Sequence, residues 1–299
     1  MIKKNMKVKE SLTDGIFETI VNIIIILCVL ICAYPIYLVI INSFSDPNLV
    51  AAGKVFIVPL GVTIDSYKMV FENEMVMGGY WNTLWYTVVG LGLNMLLTIP
   101  AAYALSKKDL VGGGFVMKLI VISMYFSGGL IPFYTLMKDM NLINNWWVIP
   151  LNGAVAASNL IIARTFFASG VPRELEEAAE IDGCSVIQTF LKIVLPLSKA
   201  MLSVIMLYYA VARWNAYTPA LYYMPRAKDL WPLQMVLRQI LIEAQKSALD
   251  NTEMADYYAK IANQMKYAVI VVASAPLLII YPFIQKYFEK GVMLGSVKG

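Results

Sequence analysis

The residue types that do enzyme chemistry are sparse in this chain and badly spaced for it. Histidine is absent, which removes the usual general base and the commonest metal ligand. A hydrolase working through histidine is therefore excluded. Cys28 and Cys32 fall in an apolar run and Cys184 in a polar segment, giving neither a disulfide framework nor a metal-ligand spacing. What the chain does offer is one patterned polar stretch, Gly170-Val171-Pro172-Arg173-Glu174-Leu175-Glu176-Glu177-Ala178-Ala179-Glu180-Ile181-Asp182-Gly183, held between two strongly apolar ones. Its chemistry is that of a docking helix. Pro172 suits a first helical turn, where a missing N–H is harmless, and Gly183 suits a stop. Acidic side chains crowd the early turns, as the helix dipole favours. Leu175, Ala178, Ala179 and Ile181 leave a narrow apolar strip, small at its centre, that lets another surface approach closely.

The elements that must carry this segment follow from composition. Of the 299 residues, 59% are hydrophobic and only 15% charged, with a mean hydropathy of +0.66. Soluble domains carry about 25% charged residues, so most of this surface belongs in lipid. No second polar block exists to build another domain, and we expect one membrane domain. A span takes about 20 apolar residues as helix, and helices satisfy their own backbone there. Six spans are expected: residues 23–41, 83–105, 119–137, 140–163, 195–214 and 267–285. The first is too long for a signal-peptide core and is expected to remain as a span. The fifth is charge-free only between Lys199 and Arg213; it crosses if both ends snorkel, and an interfacial or re-entrant segment is the alternative.

Orientation follows the basic residues in the short connections. Lys3, Lys4, Lys7, Lys9, Lys107, Lys108, Lys118, Arg173, Lys192, Lys286, Lys290 and Lys298 fall on one side, which makes both termini and the acidic segment cytoplasmic. The expected layout is a cytoplasmic tail over 1–16, a six-span membrane domain over 17–290 with a polar loop at 169–195 and an external loop at 215–266, and a cytoplasmic tail over 291–299. Within the external loop, residues 230–248 have apolar positions near helical spacing (Leu233, Val236, Leu237, Ile240, Leu241). Two readings fit that helix: a docking element, or a lid packed on its neighbours.

After Gly183 a second helix is expected over 185–194, and Pro196 marks entry into the fifth span. A short surface helix joined rigidly to a span is a lever; an ordinary capped connection is the plain alternative. At these residues the chain resembles a known family. Glu177-Ala178-Ala179-x-x-x-Gly183, followed by Ile193-x-Leu195-Pro196, is similar to the signature of the permease subunits of binding-protein-dependent ABC importers. Val171-Pro172-Arg173-Glu174-Leu175-Glu176 and Ile181-Asp182-Gly183 resemble the carbohydrate branch, the maltose-type permeases. The ending Phe288-x-x-Gly291-x-x-x-Gly295-x-x-Lys298-Gly299 resembles the permeases of bacterial complex-oligosaccharide importers. The likeness covers nearly the whole chain.

That resemblance implies an all-α polytopic membrane protein with six transmembrane helices in the type I ABC importer permease fold. Its cytoplasmic coupling helix would meet an ATPase through Glu177, Ala178, Ala179 and Gly183, with Ile193, Leu195 and Pro196 completing the motif. The implied partners are a second homologous permease, two cytoplasmic ATP-binding subunits and an extracellular sugar-binding protein, in a bacterial cytoplasmic membrane. The tail over 291–299 would reach the ATPase pair, and the loop around 219–225 the binding protein. No small-molecule cofactor is expected on this chain. ATP and Mg belong to the ATPase subunits, since Gly112-Gly113-Gly114 is no phosphate cradle of the Gly-x-x-x-x-Gly-Lys-Ser/Thr kind. Nucleic acid is not an expected partner; membrane lipid is.

A sugar path needs polar groups for hydroxyls and aromatic faces for ring C–H surfaces. Trp85, Asn94, Tyr125, Tyr208, Tyr209, Arg213 and Asn215 are the candidates, and Arg213 at the outer end of its span would favour acidic, uronic-acid-containing oligosaccharides. The competing reading is that Trp and Tyr anchor at interfaces and that in-membrane Asn bonds a neighbouring helix. Other functions stay in view: a permease for a small sugar or a glycerol-phosphate-like solute, a membrane scaffold, or an intramembrane enzyme. The last would need paired carboxylates, which the spans lack.

Overall fold

A computed structural model describes residues 12–247, 265–280 and 282. Its helices are α1 (Leu12–Ser43), α2 (Pro47–Ala51), α3 (Asp65–Glu72), α4 (Glu74–Ser106), α5 (Gly113–Tyr125), α6 (Leu130–Asp139), α7 (Val148–Leu151), α8 (Ala157–Ser169), α9 (Arg173–Ile181), α10 (Val186–Thr189), α11 (Leu195–Leu197), α12 (Lys199–Trp214), α13 (Thr218–Tyr223), α14 (Leu233–Ser247) and α15 (Met265–Ile280). Phe190–Val194 form a π-helical turn between α10 and α11. Among the described residues every regular element is helical.

The central post is α4. Asn73 caps its start by accepting a hydrogen bond from the Val76 N–H at 3.1 Å. At about 1.5 Å per residue, its 33 residues exceed the hydrocarbon thickness of a bilayer. Around it pack α3, α7, α8, α12 and α14. Two apolar cores form along its length. One, beside its first half, joins Val76 and Tyr86 to Val148, Ile149, Met224, Leu233, Val236 and Val269. The other, near its end, joins Ile99 and Tyr103 to Leu160, Phe167, Val194, Ile205 and Tyr209. By contrast, no residue in the apolar window of α1 is buried, and α1 is buried against the rest of the chain near its end, at Ile41 and Ser43.

The expected spans need correction. Two helices, Gly15–Ser43 and Glu74–Ser106, are long and apolar enough to cross as single rods, and the number rises to four only if two bent pairs each count as one. The third expected span bends by 115° between α5 and α6. Gly129 sits there at φ 84, ψ 177, a backbone setting that glycine takes freely and other residues do not. The fourth is a folded turn, with Asn141 and Asn144 at φ 55 and 56 and Gly153 at φ 69. Its helix, α8, starts only at Ala157 and runs past the expected end to Ser169. The fifth is likewise split. Leu195–Leu197 belongs to the surface segment, and α12 leaves it at 83°. At the corner the hydroxyl of buried Ser198 donates to the Val194 carbonyl at 2.7 Å.

The helix expected over 230–248 is α14, and its packing fits the lid reading. Leu233, Met235, Val236 and Leu237 are buried, and α14 rests on α4. Gly79 permits the approach: a Cβ there would lie 3.0 Å from Val236 Cγ2 and 3.2 Å from Leu233 Cα. Asn82 donates to the Asp229 and Trp231 carbonyls, Tyr86 to the Leu230 carbonyl, and Thr83 accepts from the Leu233 N–H. These bonds stitch the 229–233 strap to α4. Residues 1–11, 248–264, 281 and 283–299 lie outside the described residues, and with them the tail motif from Phe288 to Gly299 and the end of the sixth expected span.

Candidate functional site

The polar segment folds as two short helices back to back. Pro172 stands at the N-cap of α9, with Glu174 and Glu176 in its first turn. Its exit is a glycine-dependent reversal. The Cys184 N–H donates to the Ala179 carbonyl at 2.9 Å and the Gly183 N–H to the Glu180 carbonyl at 3.0 Å, with Gly183 at φ 79. This double closure satisfies carbonyls that a helix end leaves open and requires a left-handed residue between them. One residue later, Ser185 and Gln188 form a reciprocal capping box and start α10. The π turn and Pro196 follow: the Leu195 N–H reaches back to the Phe190 carbonyl, and Pro196 itself has no N–H to give.

What holds this unit in place is the Ser106 end of α4. The Tyr103 hydroxyl donates to Glu176 Oε2 at 2.9 Å, and the Lys107 ammonium pairs with the same carboxylate. Lys107 also lies 4.3 Å over the Tyr103 ring. That ring packs on Phe190 at 4.8 Å and edge-on to Phe167 at 5.7 Å. Arg164 Nε donates to the Leu105 carbonyl at 3.2 Å. Tyr103 thus touches the helix before the segment, the segment itself and the turn after it. Beside it opens a groove of about 670 Å³, lined by Lys107, Asp109, Arg173, Glu177, Glu180 and Ser185 among others.

The outer face of the unit is apolar at its tip. Ile181 is 87% exposed, Val186 73% and Ile187 69%, flanked by exposed Glu177, Glu180 and Asp182. Ala178 and Gly183 share the exposed side, whereas Ala179 is 4% exposed and packs inward. Ala179 is therefore not placed to touch another protein directly. Ile193 and Leu195 are half-buried and Pro196 is exposed. Sequence reasoning placed Ile181 on the docking strip but did not single out Val186 and Ile187 as contact residues. The available signal for them was a Val-Ile pair directly after the Ser185 cap.

The candidates for a sugar path separate into two groups. Trp85, Tyr125, Tyr208 and Asn215 are exposed; the Asn215 side-chain amide bonds back to the Val211 carbonyl, and Trp85 stands edge-on to Trp146 at 6.3 Å. Asn94, Tyr209 and Arg213 are instead buried. Arg213 donates to Asn94 Oδ1 and to the carbonyls of Ile149, Pro150, Asn152 and Gly153. The expectation that Arg213 stands at an open mouth is overturned: the residue is 7% exposed, and its guanidinium is engaged by four backbone carbonyls and the Asn94 side-chain oxygen. Among the described residues, no group of three or more His, Cys, Asp or Glu is arranged to hold a metal.

A bundle of membrane-crossing and bent apolar helices, with a helix pair braced on its end and tipped by bare isoleucines, defines a polytopic membrane permease. The family model of the binding-protein-dependent transport system inner membrane component matches residues 7–294, and the chain belongs to this family. It is a transport subunit, and ATP hydrolysis takes place elsewhere. Among its relatives, the polygalacturonan/rhamnogalacturonan transport system permease protein YtcP of Bacillus subtilis is 39% identical over 96% of this chain and 99% of its own. The arabinooligosaccharides transport system permease protein AraQ of Halalkalibacterium halodurans is 27% identical over 90% and 92%. A chain in the crystal structure of a bacterial ABC transporter involved in the import of the acidic polysaccharide alginate superposes with a TM-score of 0.85. It is 31% identical, over 94% of this chain and 100% of that one.

Proposed function

We propose that this chain is the permease component of an ABC importer for oligosaccharides, with acidic, uronic-acid-containing chains as its cargo. The observation that carries the cargo is the near full-length likeness to permeases named for polygalacturonan and rhamnogalacturonan, for arabinooligosaccharides and, in a solved structure, for alginate. In this reading the assembly pairs the chain with a second permease, two ATP-binding subunits and an extracellular binding protein. It crosses the cytoplasmic membrane six times if each bent pair, α8 and α15 count as one span each beside α1 and α4, with both termini and α9–α10 cytoplasmic. The exposed tip of Ile181, Val186 and Ile187 supports this placement, because bare apolar side chains outside lipid mark a surface that another protein covers. Glu177, Ala178 and Gly183 lie on the same exposed side. The cargo would meet exposed Trp85, Tyr125, Tyr208 and Asn215, and its acidity is read from the relatives, not from Arg213.

Labelled oligogalacturonate and a neutral arabino-oligosaccharide, offered in turn to proteoliposomes holding the full complex and its binding protein, test the cargo. ATP-dependent accumulation of the acidic sugar over the neutral one is expected. Equal accumulation removes the acidic preference, and accumulation of neither removes the oligosaccharide reading.

A further inference from the structure

Among the described residues Arg213 is the one buried charged side chain, and its partners are not carboxylates. A buried charge costs several kcal/mol unless its bonds are complete, so its partners repay a full accounting. Helix α7 is a single turn, and its final carbonyls have no partner within it. The Leu151 carbonyl accepts from the Ala154 N–H. Those of Ile149, Pro150 and Asn152 accept from Arg213, at 2.5, 3.1 and 2.8 Å. Gly153 accepts from both Arg213 and the Asn94 amide, and Ala154 from Asn94. Every carbonyl from 149 to 154 is thereby satisfied, and all but one through Arg213 or Asn94. Gly90 leaves room for the guanidinium: a Cβ there would stand 2.9 Å from Arg213 Nε.

One helical turn earlier, Tyr209 does a related job. Its hydroxyl lies 2.7 Å from Thr98 Oγ1 of α4 and accepts from the Ala156 N–H at 3.0 Å. Ala156 is the N-cap of α8, and α8 leads straight into α9. The topology is therefore a closed frame. Helix α8 enters the surface unit and α12 leaves it, and the far ends of both are fastened together by Tyr209 and Arg213.

We infer that Tyr209 and Arg213 form a clasp that makes α8, the α9–α10 unit, α12 and the stretch of α4 carrying Asn94 and Thr98 move as one body, so that a displacement of the surface unit reaches the 149–156 turn undiminished. Neither residue touches cargo; both are positioning residues. Four of the bonds that fasten the turn come from the Arg213 fork on α12, one goes to the Tyr209 hydroxyl of the same helix, and two come from the Asn94 amide on α4. A shift of α12 by about an ångström lengthens several of them together, so the turn follows α12 or lets go of it. This inference rests on the reading of α9–α10 as the ATPase-contacting unit.

The test is the number of sugars taken up per ATP hydrolysed, in proteoliposomes of the full complex with labelled oligogalacturonate. Arg213→Gln is expected to lower that ratio by about tenfold or more, since several charge-assisted bonds are lost, and Tyr209→Phe by about threefold to fivefold. Arg213→Lys, which keeps the charge but not the fork, should recover part of it. Loss of packing alone would lower the amount of complex and leave the ratio per complex intact. If Arg213→Gln does not assemble, Tyr209→Phe decides, since it removes a hydroxyl and little else. An unchanged ratio in whichever of these variants assembles overturns the clasp. Ile187→Glu, at the exposed tip, separates the two levels. If it transports normally, the coupling reading fails. If it is inactive while the clasp variants keep the intact ratio, only the clasp fails.

Discussion

Glu176 is the point where the surface unit is most open to measurement. Its carboxylate accepts from the Tyr103 hydroxyl and pairs with Lys107, and the Glu176 and Lys107 side chains are 17% and 31% exposed. An exposed ion pair contributes about 0–1 kcal/mol, whereas a hydrogen bond to a charged group contributes about 1.5–3 kcal/mol. Glu176→Gln keeps an acceptor for Tyr103 and loses the charge opposite Lys107, so a loss of about 1 kcal/mol is expected. Glu176→Ala removes both and strands the buried Tyr103 hydroxyl, so about 2–3 kcal/mol is expected. At 1.4 kcal/mol per factor of ten, local opening of residues 173–184 should rise about fivefold in the first variant and roughly thirtyfold to a hundredfold in the second. Amide hydrogen exchange on the permease pair in detergent reads this directly. Peptides from 173–184 should exchange faster in that order, and peptides from α14 should not change. Unchanged exchange in Glu176→Ala would refute the assignment of this carboxylate as the anchor.

Two further substitutions separate fold from function in the same unit. Gly183→Ala meets nothing within 4 Å but places a side chain at φ 79, so a loss of about 1–2 kcal/mol is expected from backbone strain alone; thermal unfolding of the permease pair checks it, and no drop in Tm contradicts it. Ala179→Asp buries a carboxylate where Ala179 is 4% exposed and should undo the α9 packing, at a cost of several kcal/mol. Ala178→Asp, on the exposed side, should leave the fold intact. The yield of assembled permease pair distinguishes them, and equal yields would contradict the inward placement of Ala179.

The surface unit was legible in the sequence because its signals are local. Pro172, Gly183 and Pro196 act on their own neighbours, so the start, reversal and exit of the helix pair could be placed to within a residue or two. Spans one and two were legible for a related reason: long uninterrupted apolar runs have few other outcomes. The third to fifth spans were expected as straight rods, apart from the interfacial or re-entrant alternative for the fifth, and their bends left only weak signals in the sequence. Gly129 and Asn144 are weak breakers alone, and Ser198 becomes a corner only with its hydroxyl on Val194. Arg213 looked like a mouth charge because the chain does not display, in order, the carbonyls of 149–153 that surround it. The face of α9 was read as one strip, yet Ala178 is exposed and its neighbour Ala179 buried, which depends on where the Tyr103 end of α4 lies. That placement joins residues 73 apart in sequence and leaves no trace in local pattern.

Coupling to the ATPase through the exposed tip of the surface unit is the central claim, and Ile187→Glu tests it most directly. Ile187 is 69% exposed, so the substitution leaves the fold of this chain undisturbed and places a charge where an apolar contact with the ATPase is proposed. In proteoliposomes of the full complex with binding protein, labelled oligogalacturonate and ATP, uptake and sugar-stimulated ATP hydrolysis should both fall to background while the two permease subunits still purify together. Uptake at the rate of the unaltered complex would contradict the account.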